Sequence, residues 1–154
     1  MVMLTLPAGS IKVLMNKLLV QDTFDGFELR GCVIQSFARF DIEGAAPSAE
    51  TDAAQPAKTV YCKWHRLRPY IYNIIKGNER PRFLKIIFAC PADIMEDRFA
   101  DAGALFVNII LDKNIGHITT GVSTKVWSPD KSTENMWDKY VMNFFRENQI
   151  NFEQ

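Results

Sequence analysis

The chain has 154 residues, 47% of them hydrophobic and 23% charged, and its eighteen basic residues balance eighteen acidic ones. That length predicts one domain over residues 1–154, able to bury a real core; the composition excludes a disordered or fibrous chain, and the charge balance gives no whole-chain reason for a polyanionic partner. Three evenly spread cysteines (Cys32, Cys62, Cys90) form neither a disulfide framework nor a zinc spacing and read as reduced thiols of a cytoplasmic protein.

Val2 to Leu6 predicts a short strand. The start carries no charged leader, its apolar run breaks at Pro7-Ala8-Gly9, and no later segment approaches the length of a membrane span. Ser10 reads as the cap of a helix whose Ile11, Leu14, Met15, Leu18 and Leu19 form one buried stripe. Asp22 to Gly26 reads as a turn. From Phe27 to Ile42 the residues are β-formers, giving two strands or one long bent strand, with Gly31 at the bend.

Residues 44–57 change character, with six alanines, two prolines and no base. Such a stretch offers no apolar face to offset the entropy of ordering, so a mobile excursion is expected. Lys58 to Tyr61 predicts a short strand. Trp64, Leu67, Ile71, Ile74 and Ile75 then trace a helix stopped at Gly77. Pro69 fits only if that helix begins near Arg66.

Arg82 to Cys90 reads as a strand buried on both faces, and Pro91-Ala92-Asp93 as the start of a short helix closed near Gly103. The next strand places Leu105, Val107, Ile109 and Leu111 on one face with Phe106 and Ile110 on the other, which predicts cover on two sides. Asp112 to Gly116 supplies a turn in which Asn and Gly take positive φ. In the return strand Ile118, Val122 and Val126 face one way, and Gly121 marks a bulge or a close backbone approach. Ser128-Pro129-Asp130 predicts a helix start, with Ser128 as the cap and Pro129 in the first position. Met136, Trp137, Tyr140, Val141, Phe144 and Phe145 then form its buried stripe.

The fold expected is therefore α+β: a single layer of antiparallel or mixed sheet with amphipathic helices packed on it.

The sequence has no Gly-rich phosphate loop, no nucleophile elbow and no zinc-protease or EF-hand motif. Cys62 and His65 form a lone Cys-x-x-His, Asp22 and Asp25 bracket a turn, and Thr119, Thr120 and Ser123 could line a small anion pocket. Each has a plainer reading as a buried thiol, turn chemistry or strand threonines. No cofactor, metal site or catalytic residue is assigned. The stronger local feature is a run of seven bases from Lys63 to Lys85 against one acid, Glu79. Within it Arg66, Arg68, Lys76, Arg80 and Arg82 are the candidate anion-binding residues, with Tyr and Trp nearby to suit phosphate contact and base stacking. An acidic segment over 93–112 offers internal neutralisation instead.

Three phrases resemble a family of short bacterial proteins, a domain of unknown function. They are Leu18-Leu19 with Asp22-Thr23-Phe24-Asp25, Arg68-Pro69 with Ile75-Lys76-Gly77, and Thr119-Thr120-Gly121 leading to Trp137-Asp138. The resemblance implies a single uncharacterised intracellular domain, supplies no activity, cofactor or catalytic residue to carry over, and makes the 44–57 excursion a departure from the family's usual connection. The functional expectation is a non-catalytic domain that binds itself or another protein. Its rivals are a small enzyme with a pocket assembled from distant residues, and an anion or nucleic-acid binder using residues 63–85.

Overall fold

The structure is a computed structural model that describes residues 1–47, 59–77 and 80–154. In chain order its elements are β1 (Met3–Leu6), α1 (Ala8–Leu19), β2 (Glu28–Gln35), β3 (Arg39–Glu43), α2 (Trp64–Ile75), β4 (Phe83–Ala89), α3 (Ala92–Arg98), β5 (Ala102–Asp112), β6 (Ile115–Thr124) and α4 (Ser132–Glu147). The strands form one open sheet in the order β1-β6-β5-β4-β2-β3, antiparallel at every pairing. The chain is thus α+β with a single sheet.

Alternation along the strands decides which face the helices cover. Leu29, Cys32 and Ile34 of β2, Leu84, Ile86 and Phe88 of β4, and Leu105, Val107, Ile109 and Leu111 of β5 are all buried. Their neighbours Val33, Ile87, Phe106 and Ile110 point the other way and are only half-buried. The two-sided cover expected for β4 and β5 is therefore corrected to one side. Among the described residues no helix covers that second face, and Phe106 there lies beside the Arg30 guanidinium.

The covered face holds a ring cluster. Phe88 stacks on Phe24 and Phe27 with centroids 5.6 and 5.4 Å away, meets Trp64 edge-on at 5.1 Å, and Phe144 closes edge-on against Phe24 and Phe27. Burying each such side chain contributes roughly 1.5–3 kcal/mol. The Asp22–Gly26 turn is therefore also a core element, because it drops Phe24 among the rings. Two indoles hold helices by their polar ends: Trp64 Nε1–H donates to the Leu18 carbonyl at 2.8 Å, and Trp137 Nε1–H to the Phe106 carbonyl at 2.9 Å.

Several element ends differ from expectation. Helix α1 begins at Ala8 after Pro7, and Ser10 lies buried inside it. Helix α2 begins at Trp64, which puts Pro69 in its interior; the ring is on the exposed side, so the amide it lacks is lost from a solvent-facing rung. Helix α4 begins at Ser132, because Asp130 accepts the Ser132 N–H at 2.9 Å and its hydroxyl at 3.0 Å while Ser128 only caps Asp130. Strand β6 ends at Thr124, leaving Val126 78% exposed, and Met136 stands half out of the α4 stripe. In the β5–β6 turn the positive φ falls on Lys113, while Gly116 lies in β6 with no room for a Cβ beside Leu6. Gly121 is an ordinary strand residue opposite Phe106.

The ladder irregularity in β2 lies between Leu29 and Gly31, where the bend was expected. Most of the 44–57 excursion falls outside the described residues. Its described start is paired: the Cys62 N–H donates to the Gly44 carbonyl at 2.7 Å and the Ala46 N–H to the Val60 carbonyl at 2.8 Å. Tyr61 makes a single bridge to Ala45 in place of the short strand expected there.

Candidate functional site

The basic run is divided by the fold between the helix layer and one end of the uncovered sheet face. Arg68 lies on α2 and makes a two-point contact with Asp25, while its Nη1 donates to the Val20 carbonyl at 3.2 Å. That guanidinium is a strap between α2 and the end of α1, and Asp25 is its partner rather than half of a carboxylate pair. Arg66 is exposed on α2, and the Lys76 ammonium lies 5.9 Å from the Tyr72 ring centre at that helix's end. Arg80 reaches Asn114 Oδ1 in the β5–β6 turn at 3.4 Å.

Arg82 is placed differently. Its N–H donates to the Gln35 carbonyl at 2.9 Å, and its carbonyl accepts from the Lys113 N–H at 2.8 Å. The backbone at the head of β4 is thereby clamped between the end of β2 and the β5–β6 turn. Register then gathers charge from distant parts of the chain: Gln35 pairs Arg39, Val33 pairs Lys85, and Phe83 pairs Asp112. The result is an open depression of about 550 Å³ at one end of the uncovered face. Arg39, Arg82, Lys85 and Lys113 surround it, Val33, Gln35 and Phe83 complete its lining, and Asp112 is the one carboxylate among the lining residues.

None of these four cations makes a side-chain hydrogen bond or ion pair among the described residues. Like charges crowded on one concave surface raise its positive potential, and an anion seated there relieves their repulsion. Of the five residues singled out in the sequence, only Arg82 lines this depression. Arg39 and Lys113 lie outside the basic run, and only strand register could have joined them to it.

The other sequence candidates separate. Thr119 and Thr120 point to opposite faces: Thr119 accepts from Asn108 Nδ2 at 3.1 Å, whereas Thr120 is buried, accepts the Val2 N–H at 3.0 Å and donates to Asp138 Oδ1 at 2.5 Å. Among the described residues no group of three or more His, Cys, Asp or Glu side chains is arranged to hold a metal ion. The three thiols are free. Burial first, then Asp41, pushes the Cys32 thiol up to about 12; burial, Asp93 and Glu28 push Cys90 up to about 12. Both are protonated at neutral pH and poor nucleophiles. Among the described residues no helix is long and apolar enough to cross a membrane.

A family model described as a family of unknown function (DUF5721) matches residues 17–153. The chain belongs to this family. The match runs from the last three residues of α1 to beyond α4, so it includes every residue of the basic depression. Neither a curated protein nor a solved structure matches the chain.

Proposed function

We propose that this DUF5721 member is a binding domain that takes an anionic partner, with phosphate as its anionic group, into the depression bounded by Arg39, Arg82, Lys85 and Lys113. The observation that carries the reading is the convergence of four cations, none with a carboxylate partner among the described residues, around a concavity whose described lining holds one acid. Arg supplies a planar fork suited to phosphate oxygens, Lys supplies a mobile point charge, and half-buried Phe83 offers an apolar wall. A compact anion fits better than an extended nucleic acid, because Arg68 is engaged by Asp25 and so leaves the basic stripe. Binding without turnover fits the two raised thiols, and three free thiols fit a reducing cytoplasm.

The test is titration with inorganic polyphosphate, nucleotides and short oligonucleotides at low salt. Affinity is expected to fall steeply as salt rises, through counterion release, and to drop in Arg82→Ala and Arg39→Ala. Indifference to both substitutions returns the cluster to solvated surface charge. Hydrolysis of a bound nucleotide, lost in the same variants, overturns binding without turnover.

A further inference from the structure

A second concavity, of about 500 Å³, lies at the other end of β2, between that strand, the Thr59–Tyr61 segment and α3. Its organising group is Arg30. The register shift between Leu29 and Gly31 releases Arg30 from the ladder, and the paired segments around Gly44 and Cys62 bring Tyr61 over it. The guanidinium carbon sits 3.6 Å from the Tyr61 ring centre and 5.5 Å from that of Phe106. With rings against its planar surface, such a group accepts further partners along its N–H edge. Its Nε is buried with no hydrogen-bond partner, and no part of the side chain makes an ion pair among the described residues. A buried unpaired donor on a cation is costly, and a two-point carboxylate is its natural complement.

The rest of the lining narrows the ligand. Glu28 and Glu96 face the same cleft and make no ion pair among the described residues, which disfavours a purely anionic guest and favours one that also carries a cation. The nearby Lys125 ammonium is engaged by the Ala100 carbonyl at 3.2 Å, leaving Arg30 as the lining cation with no oxygen partner among the described residues. Val60, Met95 and Phe99 supply an apolar wall, and the volume suits a small molecule. We propose that this cleft binds a small zwitterion, an amino acid or dipeptide with an apolar side chain, its carboxylate on the edge of Arg30, its ammonium at Glu28 and Glu96, and its side chain against Met95 and Phe99.

This site shares no lining residue with the basic depression, so either can fail alone. The experiment follows protein chemical shifts by NMR during titration with leucine, phenylalanine, leucine methyl ester and N-acetyl-leucine. The free amino acids are expected to bind at least about tenfold more tightly than either blocked form, because each blocked form leaves one charged side of the cleft without its partner. Arg30→Lys keeps the charge but removes the fork, and is expected to weaken binding about tenfold. Should that variant fold poorly, Glu96→Gln on the exposed side of α3 serves instead, weakening leucine while leaving N-acetyl-leucine unchanged. No shift changes up to about 10 mM ligand, equal binding of the blocked forms, or binding indifferent to Glu96→Gln overturns the assignment.

Discussion

Arg68 and Asp25 meet in a two-point contact, Nε to Oδ1 at 2.9 Å and Nη2 to Oδ2 at 3.0 Å, with both side chains less than a quarter exposed. The same guanidinium reaches the Val20 carbonyl past the end of α1. Arg68→Ala is expected to lower unfolding free energy by about 1–2 kcal/mol, above the usual exposed pair because the geometry is a fork and the site is partly shielded. Arg68→Lys should lose most of that too. Urea denaturation measures both, and anion affinity should not move in either.

Lys85 and Asp112 give opposite expectations for the depression. Lys85→Glu reverses a charge that has no partner to lose among the described residues, so the melting temperature should hold while affinity for polyphosphate falls more than about tenfold. Asp112→Asn removes the one carboxylate among the described lining residues and should tighten the same ligand several-fold at low salt. Calorimetric titration at two salt concentrations tests both. Tighter binding in Lys85→Glu would place the ligand elsewhere.

Gly44 tolerates no side chain. A Cβ there would stand 1.6 Å from the Leu29 carbonyl oxygen, a backbone atom held in the sheet. Gly44→Ala should destabilise by at least about 2 kcal/mol and loosen the Tyr61–Arg30 stack. Gly26→Ala meets nothing within 4 Å and is the matched control, expected to be near neutral by thermal melting.

Cys32 and Cys90 make stability fall in alkali. Burial pushes their thiols up to about 12 in the fold, well above the ordinary 9.0, so the unfolded chain sheds protons first. Their contribution is intact below pH 9 and is lost as pH rises from 9 towards 12. Urea midpoints across that window should decline, and the decline should shrink in Cys32→Ala. At pH 8, iodoacetamide should label half-buried Cys62 well before Cys32 or Cys90.

What was legible in the sequence was what depends on near neighbours. The α1 stripe, the β5 alternation and the Gly77 stop follow from spacing and local φ preference, and all appear in the fold. Helix starts were less legible: Ser128 reads as the α4 cap, but the helix begins four residues later at Ser132, whose N–H and hydroxyl Asp130 accepts while Ser128 accepts only the Asp130 N–H. Burial on both faces of β5 was misread because an apolar residue on an uncovered face looks, in sequence, like one in a core. The sites were least legible. Arg39, Arg82 and Lys113 are neighbours only through cross-strand register, and Arg30 acquires its setting from one extra residue in a ladder.

Strand β1 finds its partner very late. Met3 pairs with Thr119, Leu6 with Gly116, and the outer side of Thr5 exchanges hydrogen bonds with Glu153. During synthesis β1 must therefore wait, with α1 beside it, until β6 and Glu153 have emerged. The middle of the sheet can assemble earlier, since β2, β3, β4 and β5 pair among themselves. Helix α1 gains α2 as a neighbour midway, through the Trp64–Leu18 and Arg68–Val20 bonds, but β1 itself stays an unpaired strand until β6 is made, the interval in which chaperone capture or misassembly has its opportunity.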